Sequence, residues 1–136
     1  MKMKLNHKGF TLVELLTAIV IVGILASIMV GRVMVAKDRA HITAAQSDVD
    51  HFRKALSVYS VDYGVFPDNI YNSPQALSVA LVDPEGKPYM VTPDGANFGT
   101  FTYNSLNAGE QYEIEVEALD QAHTVILATA DGIAIQ

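Results

Sequence analysis

The chain has 136 residues, enough for one domain with accessory segments but not for two full globular domains. Half of its residues are apolar, and the absence of cysteine excludes a disulfide framework and a thiolate metal site. The formal net charge of −6 argues against nucleic acid as a general ligand, because an acidic surface repels phosphate backbones.

The N-terminal quarter carries the strongest pattern. Residues 1–9 are basic and polar, and residues 10–31 form an apolar run of 22 residues whose only charged side chain is Glu14. At about 1.5 Å per residue, such a helix is long enough to cross a hydrocarbon layer ~30 Å thick. The lysines before the run predict that residues 1–9 lie on the cytoplasmic side of the membrane and the rest beyond it.

The helical pattern continues beyond the apolar run. Apolar residues recur at spacings of three and four between residues 42 and 63, which predicts one apolar face on a helix. These residues are Ile42, Ala45, Val49, Phe52, Leu56, Tyr59 and Tyr63. Gly64 is suited to the C-cap and Pro67 prevents continuation, so we expect one continuous helix from about Phe10 to Tyr63.

The sequence of residues 64–136 predicts a small globular head at the end of the long helix. Ser73 and Pro74 are suited to cap and begin a short helix that ends near Leu81. Strands are predicted at residues 100–104, 111–118, 124–129 and 133–135, with Asp131-Gly132 as the tight turn before the last strand. The expected fold is therefore α+β, a long N-terminal helix with a small antiparallel sheet packed on its apolar half.

The junction at residues 8–14 has the sequence KGFTLVE and opens the apolar run. It resembles the N-terminal segment of bacterial type IV pilins and type II secretion pseudopilins. The resemblance implies that a prepilin peptidase cuts between Gly9 and Phe10, that the new N-terminal Phe10 is methylated, and that Glu14 acts in assembly. It also implies three segments: a leader (1–9), a transmembrane and polymerisation helix (10–31), and an amphipathic helix with a pilin-like head (32–136).

The same resemblance implies a structural subunit that polymerises into a helical filament. The implied partners are further copies of the chain, the inner membrane, the prepilin peptidase, an assembly ATPase with membrane platform proteins, and minor pilins. The head is expected in the periplasm before assembly and in a pilus or pseudopilus afterwards. The sequence has no Gly-rich phosphate loop, nucleophile elbow or HExxH zinc motif, and we expect neither a catalytic site nor a cofactor.

Glu14 supports a hypothesis about assembly. A carboxylate inside a membrane costs about 3 kcal/mol or more unless it is paired. After cleavage, the α-ammonium of Phe10 is a candidate partner, either in the same helix at i and i+4 or on a neighbouring subunit. We favour the neighbouring subunit, because that pairing would set the axial register of each added copy.

Three small residues suggest helix packing. Gly23, Ser27 and Gly31 lie four apart on one helix face, the spacing that allows helix backbones to approach closely in a membrane. Small residues are common in membrane helices, so chance explains the pattern equally well.

The apolar run also has to be compared with two commoner kinds of N-terminal segment, and it matches both of them less well. A conventional signal peptide has an apolar core of ~7–15 residues and a small-x-small cleavage site, whereas this run is longer and contains Glu14. An ordinary signal anchor accounts for the hydrophobicity but not for the motif at residues 8–14.

The sequence leaves the particular filament open. It does not separate a pilus from a secretion pseudopilus, and the alternative is a minor pilin or DNA-uptake (competence) pseudopilin that acts as a binding module. The acidic charge argues against general nucleic-acid binding but leaves open a local basic patch around Arg53 and Lys54. Basic residues of the helix are also expected to meet acidic sheet edges of neighbouring subunits; they are Arg32, Lys37, Arg39, Arg53 and Lys54.

One loop offers oxygen ligands. Residues 83–89 resemble the loop of major pseudopilins, a family that often stabilises this region with calcium. Asp83, Glu85, Asp94 and Asn97 are the candidate ligands, and a solvated acidic loop without a metal is the preferred interpretation.

Overall fold

The computed structural model describes residues 10–93 and 97–136. Its elements in chain order are α1 (Leu12–Tyr63), β1 (Ile70–Tyr71), α2 (Pro74–Ala80), β2 (Phe98–Leu106), β3 (Gln111–Ala118), β4 (Val125–Thr129) and β5 (Ile133–Ile135). The five strands form one sheet in chain order, and every neighbouring pair is antiparallel. The predicted α+β class is confirmed, and the chain divides into two compact units, Met1–Ala36 and Lys37–Gln136.

The described part of the first unit, residues 10–36, is exposed along its whole length. Large apolar side chains on this stretch are more than half exposed, among them Leu12, Ile19 and Met29. Of the elements described, α1 is the one helix long and apolar enough to cross a membrane, judged by length and composition. Because water solvates such a surface poorly, this stretch requires lipid or other helices around it.

The core of the second unit lies between α1 and one face of the sheet. The buried residues of α1 are Ala45, Val49, Phe52, Ala55 and Leu56, which confirms the middle of the predicted apolar face and adds Ala55. Ile42 and Tyr59 are partly buried, whereas Tyr63 at the end of the predicted face is exposed. The sheet contributes alternate residues of its strands, namely Phe101, Tyr103, Ile114, Val116, Ile126 and Ala128. The rings of Phe52 and Phe101 lie 5.3 Å apart between centroids and join the helix to the sheet.

The opposite face of the sheet is acidic at its centre. Glu113, Glu115 and Glu117 alternate with the buried residues of β3, as the strict alternation in the sequence predicts. Glu115 lies opposite Thr102 of β2 on one side and Leu127 of β4 on the other. We call this face the outer sheet face.

The predicted caps are confirmed. Gly64 adopts a left-handed backbone with φ of 77°, and its N–H donates to the Ser60 carbonyl at 2.9 Å, which ends α1. The Ser73 hydroxyl accepts a hydrogen bond from the Ala76 N–H at 3.1 Å, which caps α2.

Two details differ from the prediction. The two-residue strand β1 was not predicted, because a strand this short has no alternation to detect. The last hairpin turn is one residue earlier than expected, since the Thr129 N–H donates to the Gly132 carbonyl at 2.9 Å. Ala130 and Asp131 are therefore the central residues of the turn.

Arg53 ties α1 to that turn. Its guanidinium donates to the carbonyls of Thr129 at 3.0 Å and Ala130 at 3.3 Å, and it contacts the Asp50 carboxylate at 3.4 Å. A hydrogen bond from Lys54 lowers the pKa of Asp50 below its ordinary value. Three donors of Arg53 thus act within its own chain, and the expectation that Arg53 meets an acidic sheet edge of a neighbouring subunit stays a prediction.

The core position of Phe52 gives a testable prediction. Phe52→Ala removes a fully buried ring and should lower the free energy of unfolding by about 3–5 kcal/mol. Urea unfolding of the detergent-solubilised chain, followed by tyrosine fluorescence, measures the change. Val61→Ala alters a residue of the same helix that is 82% exposed and should stay within about 0.5 kcal/mol of the unmodified chain. Equal effects of the two substitutions would contradict the described core.

Candidate assembly site at the start of the long helix

The first turn of α1 is closed by Thr11 and Glu14. The Glu14 N–H donates to the Thr11 hydroxyl at 3.2 Å, and the Thr11 N–H donates to Glu14 Oε2 at 2.8 Å. The Thr11 hydroxyl itself donates to the same oxygen at 2.9 Å. This reciprocal arrangement is a capping box, in which two backbone N–H groups that the helix leaves free both find acceptors.

The capping box gives Glu14 partners within its own chain. By sequence Glu14 is a lone carboxylate in an apolar run, whereas the structure supplies two hydrogen-bond donors from Thr11. The helix N-terminus also favours a negative charge in its first turn. Both donors reach Oε2, and none of the residues described in 10–93 and 97–136 donates to Oε1. The hydrogen bonds from Thr11 thus hold the Glu14 side chain in one orientation, and Oε1 is available to a further donor.

Thr11 is the site residue that was not predicted from the sequence. The signal was present, because a Thr followed three residues later by Glu at the start of an apolar run is the sequence signature of a capping box.

The predicted cleavage site lies at the edge of the described residues. Phe10 is 89% exposed, whereas Gly9 and the rest of residues 1–9 lie outside the described ranges. Cleavage between Gly9 and Phe10 and methylation of Phe10 therefore stay predictions.

The small residues of α1 present an open surface. Apart from the adjoining residues and the nearby backbone of α1 itself, a Cβ built on Gly23 or Gly31 would meet no atom of the described residues within 4 Å. The Ser27 hydroxyl donates to the Ile24 carbonyl at 2.8 Å, so its polar group is satisfied within the helix. This face is geometrically free to receive another helix, and its use in packing stays a prediction.

The proposed calcium ligands do not converge among the residues described. Asp83 Oδ1 accepts the N–H groups of Glu85 at 3.1 Å and Lys87 at 2.7 Å, which closes its own loop. The Asn97 amide donates to Asp48 at 2.6 Å, and Asp94 lies outside the described residues. Across residues 10–93 and 97–136 no group of three or more His, Cys, Asp or Glu is placed to hold a metal ion, and calcium binding stays a sequence-based hypothesis.

The N-terminal motif matches a known family model, and a larger part of the chain matches known proteins. The family model "Prokaryotic N-terminal methylation motif" matches residues 4–30, which include the capping box. The chain is 32% identical over 121 residues to Type II secretion system core protein G of Pseudomonas aeruginosa, covering 76% of this chain and 84% of that protein. The chain belongs to the type IV pilin and type II secretion pseudopilin family.

Further relatives of this pilin-family chain come from both kinds of filament system. Type II secretion system core protein G of Aeromonas hydrophila is 33% identical over 121 residues, covering 76% of this chain and 84% of that protein. Type IV wide pilus major component PilA4 of Thermus thermophilus is 36% identical over 76 residues, covering 56% of this chain and 54% of that protein. No solved structure matches the chain.

The capping box of this pilin-family chain gives a second prediction. Thr11→Val removes the hydroxyl and should destabilise the first turn of α1 by about 1 kcal/mol, which is roughly fivefold faster amide exchange. Hydrogen–deuterium exchange of the chain in detergent micelles, read at residues 12–15, measures it. Thr11→Ser keeps the hydroxyl and serves as the control. If both variants exchange at the unmodified rate, the capping box does not hold the turn.

Proposed function

We propose that this protein is the repeating structural subunit of a type II secretion pseudopilus and that it carries out no catalysis. The relationship to core protein G supports this assignment, because a match over 76% of the chain extends beyond α1 into the head. The N-terminal motif alone is common to pili and pseudopili, so the match in the head is the observation that carries the proposal.

The first step of the proposed mechanism is processing. A prepilin peptidase hydrolyses the Gly9–Phe10 bond, which releases residues 1–9 and leaves a free α-amino group on Phe10 that is then methylated. The match of the methylation-motif model to residues 4–30 supports this step, and so does the exposure of Phe10. Removal of the leader also removes three lysines and makes the mature chain more acidic.

The second step is pairing at Glu14. The Phe10 ammonium of one subunit donates to Glu14 Oε1 of a neighbour, while the Thr11 donors hold Oε2. In the low dielectric of a membrane or helix bundle an unpaired carboxylate is strongly disfavoured, so each added subunit is drawn to the position that satisfies it. The pairing thereby sets the axial register of the filament.

The third step moves α1 from lipid into a bundle of like helices. Before assembly, residues 10–31 span the inner membrane with the leader in the cytoplasm and the head in the periplasm. An assembly ATPase with platform proteins then extracts the subunit, and minor pilins share the filament. The exposed apolar surface of residues 10–36 supports this step, because it needs an apolar environment in either state. Gly23, Ser27 and Gly31 are proposed to mark the face where helices approach most closely.

A type IV pilus subunit is the second candidate. The Thermus thermophilus pilus component supports it with the higher identity, although over a shorter part of the chain. The remaining candidate, a minor pilin or DNA-uptake binding module, has less support because Arg53 of its basic patch is engaged within the head.

Deletion of the gene separates the two filament systems. We expect folded secreted proteins to accumulate in the periplasm, because a pseudopilus serves secretion across the outer membrane. Activity assays on periplasmic and culture-medium fractions measure this, and the unmodified gene supplied on a plasmid is the control. Normal secretion together with loss of surface pili would instead assign the chain to a type IV pilus.

Glu14→Leu tests the assembly step. The variant should insert in the membrane and lose its leader, yet form no filaments, because the Phe10 ammonium has lost its acceptor. Mass spectrometry of the N-terminus reports cleavage and methylation, and electron microscopy of sheared filaments reports assembly. Glu110→Leu removes an exposed carboxylate of the head and serves as the matched control. Filaments of Glu14→Leu at normal yield would exclude the proposed pairing.

A further inference from the structure

A short basic segment of α1 follows the apolar run directly. Residues 32–39 have the sequence RVMVAKDR and carry Arg32, Lys37 and Arg39. Residues 40–136, by contrast, contain 13 Asp and Glu residues and only three Lys and Arg residues. The positive charge beyond the apolar run is therefore concentrated where that run ends. We call residues 32–39 the basic collar.

The basic side chains of the collar are available to a ligand outside the chain. Arg32, Lys37 and Arg39 are exposed, and the ion pairs found among residues 10–93 and 97–136 all involve other basic residues. The one carboxylate of the collar, Asp38, is partly buried and accepts the Gln121 N–H at 3.4 Å. Asp38 thus has a partner in the loop that follows β3, whereas the three cations have no carboxylate partner among the described residues.

The place of the collar along α1 corresponds to the surface of a membrane. The apolar run of 22 residues spans about 33 Å, close to the ~30 Å of the hydrocarbon layer. Arg32 then lies at the edge of that layer, with Lys37 and Arg39 about 7 and 10 Å beyond it. Helical side chains lean toward the helix N-terminus, which is the apolar end of α1, so the long side chains of Lys37 and Arg39 reach back toward the headgroups.

The residues between the charges suit the same layer. Val33, Met34 and Val35 are 63%, 50% and 52% exposed, although all three are apolar. Helices that lie at the boundary between headgroups and acyl chains combine such side chains with Lys and Arg. Burial of the three apolar residues at this boundary would therefore bring the basic residues beside lipid phosphates.

Anionic phospholipids match the donors of the collar best. The guanidinium groups of Arg32 and Arg39 can each donate two hydrogen bonds to one phosphate, and Lys37 adds a point charge. A zwitterionic headgroup carries its own cation beside the phosphate, which competes with these donors. An anionic headgroup has no such cation, and each Lys or Arg near an anionic membrane surface contributes about fivefold in affinity.

We propose that the basic collar binds anionic phospholipid headgroups at the periplasmic surface of the inner membrane and fixes the depth of the unassembled subunit. This inference rests on the membrane insertion proposed above. Removal of residues 1–9 takes away Lys2, Lys4 and Lys8, which leaves the collar as the group of basic residues next to the apolar run. Extraction into a filament must then break the phosphate contacts, so anionic lipid holds the processed subunit back in the membrane.

Fluorescence quenching tests the lipid preference at the collar itself, because the chain contains no tryptophan. Full-length Val35→Trp is reconstituted in vesicles of phosphatidylglycerol and phosphatidylcholine in equal amounts, with bromine on the acyl chains of one lipid or the other. Brominated phosphatidylglycerol should quench more strongly. Adding Lys37→Gln and Arg39→Gln should lower the preference for phosphatidylglycerol about fivefold or more at low salt.

A matched control separates the collar from net charge. Lys54→Gln with Lys87→Gln removes two positive charges from the head in the same Val35→Trp background, and the preference should stay unchanged. Equal quenching by the two brominated lipids in Val35→Trp would overturn the proposal and leave the filament function intact. An equal loss of preference in the control and in the collar variant would also overturn it, because the preference would then follow net charge.

Two further measurements fix the position and the ligand. Thr43→Trp lies eight residues, about 12 Å, further along α1 and should be quenched far less; equal quenching at both positions would contradict the proposed depth. Inorganic phosphate should lower the lipid preference no more than sodium chloride at equal ionic strength, and a larger loss would assign the collar to free phosphate. If the chain does not insert in the vesicles, the proposed membrane step fails, and the collar proposal fails with it.

Discussion

The exposed apolar surface of residues 10–36 is the constraint on which the rest depends. No other described part of the chain covers these side chains, and exposing so large an apolar surface to water is unfavourable in free energy. The chain must therefore reside in lipid or among like helices. The part of α1 in the second unit needs neither lipid nor other helices for its apolar face, because the sheet covers that face. One continuous helix thus contains two segments with different solvent requirements.

The only charge of the apolar run lies where a helix tolerates it best. Glu14 occupies the first turn, where free N–H groups and the helix dipole favour a carboxylate, and Thr11 supplies two donors. Two hydrogen bonds from Thr11 thus satisfy Oε2 of Glu14, and the proposed pairing would use its other oxygen. Local capping and assembly are compatible roles of one residue.

Much of the fold follows from local pattern. The helix spacing predicted α1, the caps at Gly64 and Ser73 marked where helices end and begin, and strict alternation predicted β3 with its acidic outer face. The spacing of Thr11 and Glu14 is also a local signal of a capping box, although the sequence analysis did not use it. The two-residue strand β1 was beyond prediction, since it exists only through pairing with β2.

The sequence by itself determined the apolar helix, the motif at its start, the acidic character of the head and the membership of a filament family. These depend on neighbours within a few residues of each other, where spacing decides the outcome. Tertiary structure alone decided that Arg53 binds the last hairpin turn and that Glu115 lies beside Leu127. Those residues are far apart in the chain, and only the packing of α1 against the sheet and the strand register bring them together.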